Sequence, residues 1–316
     1  MNSNIELSVV VPVYNGANTI KRVVDQVSAL QIDGGIEIIL VNDGSIDDSA
    51  VICANLVKVA ANPIKFVNLA RNFGEHNAVM AGLSAAGGRY IVTIDDDLQH
   101  DPADIAALYN HCRDNELDVS FAFWDEKKHG LIRNLGSYLT NKMASVIMGK
   151  PENIYFSTFR CMNRFLVDNI LHHEGPYPYI DGLILQITDK IGKFKITHHQ
   201  RVLGQSGYTT RKLIGLWLNI FVNYSVMPLR FSTIIGIFLS FLGLIYTIRV
   251  ITVYLTVGAP AGWASLMSII LLFSGAQLIV LGVIGEYIGR IHLTNNSKPQ
   301  FIIRETVVSQ SEKKEI

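Results

Sequence analysis

Three consecutive aspartates, Asp95-Asp96-Asp97, run into Leu98-Gln99 directly after a stretch rich in Ile and Val. Alternate side chains of an extended chain point the same way, so Asp95 and Asp97 can face one cleft. Two carboxylates at a strand end are hard oxygen ligands, the kind that Mg2+ or Mn2+ takes alongside substrate phosphates. An Asp run is also a common solvated turn. The neighbouring Gln99, and Asp43 at the end of a second apolar run, favour the cation. Other candidates are blander. His172-His173 and His198-His199 are adjacent pairs, which is poor zinc spacing. Cys53, Cys112 and Cys161 are far apart and odd in number, so they read as small buried apolar residues. His76 reads as a neighbour of a site rather than a reacting group, and no G-x-G-x-x-G phosphate loop occurs.

Those polar loops need elements to hold them. Leu7 to Val13 is a β-branched run ended by Tyr14-Asn15-Gly16, and Glu37 to Val41 is a second, closed by Asn42-Asp43-Gly44-Ser45. Ile64 to Leu69 and Tyr90 to Ile94 read as two further strands. Between them Ile20, Val23, Val24, Val27 and Leu30 recur at helical spacing, Asp47 or Asp48 can cap a second helix, and residues 77–86 form a third. Near-continuous apolar strands separated by helices predict an α/β fold with a mostly parallel sheet covered on both faces. Ligands then bind outside the carboxyl ends of the strands, where the Tyr14, Asp43 and Asp95 loops would meet.

The chain has 316 residues, and its 27 Lys and Arg balance 27 Asp and Glu. A net charge of zero argues against nucleic acid as a partner. Mean hydropathy is +0.28, and the apolar excess is unevenly placed. Residues 231–289 hold only two charged side chains, Arg249 and Glu286. Segments 234–257 and 264–288 each exceed the ~20 residues that cross a bilayer's hydrocarbon, and Gly258-Ala259-Pro260-Ala261-Gly262 joins them as a turn. Arg211, Lys212 and Arg230 precede this hairpin and Arg290 and Lys298 follow it, so the positive-inside rule leaves both ends in the cytoplasm. Leu213, Leu216, Trp217, Ile220, Phe221 and Tyr224 suit an amphipathic helix lying on the membrane surface. No signal peptide precedes residue 7. The expected organisation is a catalytic domain over 1–210, an interfacial helix over 211–230, two transmembrane helices over 231–290 and a tail over 291–316 with no assigned task. The expected location is the inner membrane, with the lipid bilayer as partner. Hairpins of two spans often need partners to bury polar edges, which points to a homo-oligomer.

Val9 to Asn15, Val41-Asn42-Asp43-Gly44-Ser45, Arg71-Asn72-Phe73-Gly74 and Asp95 to Gln99 stand in the order seen in family 2 glycosyltransferases of GT-A fold, a Rossmann-like architecture. With the C-terminal hairpin, the chain resembles the polyprenyl-phosphate glycosyltransferases, the type of dolichol-phosphate mannose synthase and the undecaprenyl-phosphate sugar transferases. The resemblance covers about residues 7–290. It implies that Pro12, Tyr14 and Asn15 line a nucleotide pocket, that Asp43 bonds the base, and that Asp95 opens the family's DxD motif. It places Asp97 and Gln99 on the metal that sits at the donor diphosphate. It sets Arg133 near the acceptor phosphate and makes Arg201 to Ser206 an R-x-x-G-x-S loop over the site. Where relatives often carry Gly-Asp-Phe-Arg this chain has Ser157-Thr158-Phe159-Arg160, so an aspartate sometimes proposed as a base is missing. The loop after Ser206 continues with Gly207 and Tyr208 rather than Lys, and Lys127 or Lys128 stands near where relatives hold an arginine. Asp181 is a spare carboxylate that could contact sugar hydroxyls, act as base or cap a helix.

The activity these features imply is inverting transfer of one sugar from a nucleotide-sugar donor, a UDP-sugar on the lean of bacterial relatives, to undecaprenyl phosphate. A processive polysaccharide synthase is a rival, weakened because no Q-x-x-R-W motif follows Gln200-Arg201. A catalytically inactive membrane scaffold is another, and the intact Asp95, Asp97 and Gln99 speak against it.

Overall fold

The computed structural model describes residues 5–60, 62–123, 154, 156–176, 178–196, 262–295 and 299–309, with separate positions between 234 and 256. The chain divides into two compact units, Met1–Gly207 with Ser297–Ile316, and Tyr208–Asn296.

In the first unit the order is β1 (Leu7–Val13), α1 (Ile20–Ser28), β2 (Ile36–Asn42), α2 (Ser49–Val59), β3 (Ile64–Leu69), α3 (Glu75–Ala85) and β4 (Tyr90–Thr93). Then come α4 (Asp104–Asp114), β5 (Val119–Phe123), β6 (Arg160–Asn163), α5 (Arg164–Leu171), α6 (Ile180–Ile187) and β7 (Ile191–Lys195). A last strand, β8 (Ile303–Val308), arrives after the second unit. The eight strands make one sheet in the order β7-β5-β6-β4-β1-β2-β3-β8.

Apolar residues occupy both faces of the central strands, and helices cover both. Val9, Val11 and Val13 of β1 pack with Val23, Val24 and Val27 of α1. Val10 between them packs on the opposite face with Met80 and Leu83 of α3. That alternation is the two-residue period of a strand with two buried sides. All seven residues of β2 are buried, Glu37 included. Its carboxylate is held by Lys65 Nζ at 2.9 Å and by the Ser8 hydroxyl at 2.6 Å, which makes a buried charge tolerable.

The sheet is mostly parallel, as expected, but mixed: six strands run one way, and β6 and β8 run against them. β1 pairs in parallel with β2 and β4, β2 with β3, and β5 with β7. β6 runs antiparallel between β4 and β5, and β8 antiparallel beside β3. The sequence pattern detected the parallel core because those strands are long and apolar. It did not detect β6, four residues that include a buried arginine. Residues 291–316 are no simple tail either: Ile303–Val308, rich in β-branched side chains, closes one edge of the sheet.

The second unit contains α7 (Trp263–Asn295), a helix of 33 residues and about 50 Å at 1.5 Å per residue. Leu278, Ile279, Leu281, Ile288 and Ile291 stand exposed along it, and the described positions between 234 and 256 are helical, with Phe238, Phe241 and Leu255 exposed. Many side chains here lie outside the described residues. Among the described residues no helix is long and apolar enough to cross a membrane. The expected interfacial segment over 211–230 lies outside the described residues.

Candidate active site

Four loops leave the carboxyl ends of β1, β2, β3 and β4, and their side chains bond one loop to the next. Asn15 N–H donates to Ser45 Oγ at 3.0 Å, and Ile46 N–H donates back to Asn15 Oδ1 at 3.0 Å. Asp43 accepts from the N–H groups of Phe73 and Gly74, at 2.7 and 2.9 Å. Gly44 has φ +64°, and a Cβ there would sit 2.4 Å from backbone atoms of Arg71 and Asn72. Only glycine allows this approach. The loops enclose a cavity of about 260 Å3, lined among others by Pro12, Tyr14, Asp43, Asn72, Glu75, Asp95, Asp96 and Asp97.

Pro12, Tyr14, Asp43, Asp95 and Asp97 therefore meet at one cavity, as the sequence led one to expect. Asn15 joins them through its loop bonds. Asp43 is almost wholly buried, and that burial raises its pKa while the two N–H bonds pull it back down. Both of its oxygens already fasten the 70–74 loop, a task that the base-binding expectation did not include.

The three aspartates have diverged in setting. Asp95 Oδ2 accepts from the Thr158 hydroxyl at 2.7 Å. Asp96 turns toward β1, accepting from Tyr14 N–H at 3.4 Å and packing so close to Gly16 that a Cβ would stand 2.1 Å from its Oδ2. Burial, then the charges of Asp95 and Asp97, push its pKa up to about 7. Asp97 Oδ1 accepts from Gln99 N–H at 3.0 Å, around a Leu98 held at φ +59°. A left-handed leucine is uncommon and costs on the order of 1 kcal/mol or more, a cost often found where a loop presents functional groups. No cluster of three His, Cys, Asp or Glu ligands exists among the described residues. Two carboxylates on an open cavity nevertheless fit Mg2+ or Mn2+, which take one or two protein carboxylates and complete their shell with phosphate and water.

The other side of the site comes from α3, β6 and α6. Glu75, the first residue of α3, lines the cavity. His76 meets Tyr179 edge to face at 5.4 Å, and burial lowers its pKa. Arg160 is buried and forms an ion pair with Asp181 through Nη1, its guanidinium 6.0 Å from the Phe121 ring. Asp181 is in the first turn of α6 but does not cap it: Tyr179 holds the N-cap position. The ion pair already engages the Asp181 carboxylate, so the pairing disfavours it as general base. Arg133, Arg201 and Ser206 lie outside the described residues. From the sequence Glu75 carries no assignment, and Arg160 stands only as the last residue of Ser157-Thr158-Phe159-Arg160, with no role of its own. Glu75 follows the Arg71-Asn72-Phe73-Gly74 motif directly, and that adjacency was the available signal.

The layered mixed sheet and this rim are those of a GT-A-like α/β protein. Comparison with known proteins agrees. The chain matches glycosyl transferase family 2 over residues 8–171 and the GtrB C-terminal hairpin over residues 227–291. An undecaprenyl-phosphate 4-deoxy-4-formamido-L-arabinose transferase of Sodalis glossinidius (strain morsitans) is 32% identical over 97% of this chain and 95% of its own length. The enzyme of that name from Enterobacter sp. (strain 638) is 31% identical, covering 96% and 94%. Among solved structures, glucosyl-3-phosphoglycerate synthase from Mycobacterium tuberculosis in complex with UDP superposes with a TM-score of 0.52 at 20% identity, over 69% of this chain and 78% of that one. The same enzyme with Mn2+, UDP and glucosyl-3-phosphoglycerate gives 0.51 at 18% identity, with the same coverage. The chain belongs to glycosyl transferase family 2 and is a glycosyltransferase. The likeness to polyprenyl-phosphate transferases read from its motifs is borne out by these relatives.

Proposed function

We propose that the protein transfers one sugar from a nucleotide-sugar donor, a UDP-sugar, to undecaprenyl phosphate at the cytoplasmic face of the inner membrane, with inversion. The carrying observation is the acidic cavity at the ends of β1, β2 and β4, in a chain matched almost end to end by undecaprenyl-phosphate sugar transferases. UDP and Mn2+ in complexes of a fold neighbour support the same donor class and cofactor.

Asp97 and Gln99, with Asp95, would hold Mg2+ or Mn2+ against the donor diphosphate. Bound there, such a cation offsets charge that builds on the departing nucleotide. Pro12, Tyr14 and Asn15 shape the nucleotide side, and Asp43 fixes the 70–74 loop while keeping lone pairs for the base. A phosphate monoester has a second pKa near ~6, so the lipid phosphate is largely dianionic at neutral pH. Its oxygen attacks the anomeric carbon from the face opposite the diphosphate; the bond to the diphosphate oxygen breaks and the nucleoside diphosphate departs. No proton has to be removed first, which suits a site where Thr158 replaces an expected aspartate and Asp181 is tied to Arg160. Arg133 and Arg201, with Ser206, would hold the attacking phosphate by charge-assisted bonds. The apolar segments 234–257 and 264–288 would serve as a membrane hairpin, anchoring the chain at the bilayer where an undecaprenyl phosphate keeps its tail in hydrocarbon and its headgroup at the surface.

Incubating membranes containing the protein with labelled nucleotide sugars and undecaprenyl phosphate tests this. Labelled lipid is expected with at least one donor, lost on adding EDTA. No labelled lipid with any donor overturns the reading.

A further inference from the structure

The carboxyls around the cavity differ in what they already do. Asp43 is fastened by Phe73 and Gly74, Asp95 by Thr158, Asp96 by Tyr14 N–H and Asp97 by Gln99 N–H. Asp181 is paired with Arg160. Among the described residues no hydrogen bond or ion pair engages Glu75, although it lines the cavity and remains open to solvent through the mouth.

Its place is informative. Glu75 is in electrostatic reach of Asp95 and Asp97 and also of Arg160 and Asp181. The first pair belongs to the diphosphate end of the donor. In a displacement at the anomeric carbon, the sugar ring occupies the space next to that diphosphate. The cavity's lining holds five carboxyls, Asp43, Glu75, Asp95, Asp96 and Asp97, and among the described residues lining it there is no lysine or arginine.

We propose that Glu75 reads the transferred sugar, accepting a hydrogen bond from a hydroxyl or nitrogen-bound hydrogen on the ring, and that it selects neutral or amino sugars against uronic acids. The inference rests on the transferase reading above and names its substrate class. A sugar with its own carboxylate would bring a like charge against Glu75 in a partly desolvated cavity, and such a contact penalises the wrong ligand more than it favours the right one. Burial and the charges of Asp95, Asp181 and Asp97, opposed by that of Arg160, raise the Glu75 pKa to about 7, so the donors are compared at pH 8, where this carboxyl is mostly ionised.

The test compares a nucleotide-linked neutral hexose, its 2-acetamido counterpart and its hexuronic acid counterpart as donors for the full-length protein in membranes. It uses the native chain, Glu75→Gln and Glu75→Ala. The native chain should favour the neutral or acetamido donor over the hexuronate by roughly a hundredfold or more in kcat/KM. Glu75→Gln keeps a hydrogen-bonding group and loses the charge, so the discrimination should narrow by roughly tenfold, chiefly through a lower KM for the hexuronate. Glu75→Ala should narrow it likewise and also weaken use of the neutral donor. A residue that merely supports α3 would change all donors by one factor. An unchanged ratio in both variants, or equal use of the hexuronate by the native chain, overturns the proposal. Calorimetric binding of the same donors with Mn2+ separates this from the parent reading: preserved discrimination in binding with no transfer to lipid would overturn the transferase reading and support the sugar-reading role.

Discussion

Asp96, in the middle of the acidic run, does not share the task of its neighbours. Its folded-state pKa of about 7 lies above the ordinary carboxyl value of 3.8. Between those limits the native protein keeps a proton that the unfolded chain has lost, so this group makes stability fall as pH rises from about 4 to 7. Above about 7 both states are ionised and the penalty is fully present. Asp96→Asn should therefore raise the apparent Tm of the detergent-solubilised protein in EDTA more at pH 8 than at pH 5; an equal change at both would refute the assignment. Asp97→Ala should reduce transfer by about two orders of magnitude or more, with Tm nearly unchanged. A fully active variant would remove Asp97 from the metal site. Gly44→Ala should cost about 1–3 kcal/mol and weaken nucleotide binding, because its Cβ drives into the loop that Asp43 secures. Thermal unfolding and nucleotide titration check it. At this scale Asp95, Asp97 and Asp43 were legible because polar residues at strand ends stand out against Val and Ile. Glu75 was not: an acidic residue at a helix start is ordinary on dipole grounds alone. The Arg160–Asp181 pair spans 21 residues and depends on tertiary approach.

At the scale of elements, β8 carries the least expected feature. It pairs with β3, and Ala70 N–H donates to the Ile302 carbonyl at 2.8 Å while Arg304 Nη2 donates to the Ala70 carbonyl at 3.1 Å. The strand thus braces the start of the loop whose Phe73 and Gly74 bind Asp43. In an antiparallel ladder hydrogen-bonded positions alternate. Since Ser309 N–H donates to Ile64, Val307 faces β3 with its N–H and Val308 turns its own away. Val307→Pro should cost about 1–3 kcal/mol, a Tm loss of several degrees, whereas Val308→Pro should be much milder. Equal losses would contradict the register. The first four strands and their helices were readable from period and length. β8 was not, because only six residues separated by the whole second unit from the rest of the sheet give no local sign of their partner.

For the whole molecule, the question is what the oily C-terminal third is for. Exposed Leu278, Ile279, Leu281, Ile288 and Ile291 along a 33-residue helix would be costly in water, at roughly 25 cal/mol for each Å2 of apolar surface. The cost disappears if those faces lie in lipid, and the hairpin then holds the catalytic unit against the surface where a polyprenyl phosphate presents its headgroup. The sequence signals of such a role are length and missing charge, with Arg249 and Glu286 the lone charged side chains over residues 231–289. The chain's own cysteines make the topology testable. Cys53, Cys112 and Cys161 are wholly buried, and burial pushes the Cys53 thiol up to about 12 and the Cys161 thiol well above its usual range, so all three should resist maleimides. A cysteine placed in the connecting turn, by Ala261→Cys, should then be the main reactive thiol. In intact cells whose outer membrane has been permeabilised, an impermeant maleimide should label it, while a cysteine at Ser311 should be labelled only after the inner membrane is opened. Labelling in the reverse order would invert the hairpin. Release of the full-length protein by alkaline carbonate would remove it from the bilayer, and with it the reason for a lipid-linked acceptor.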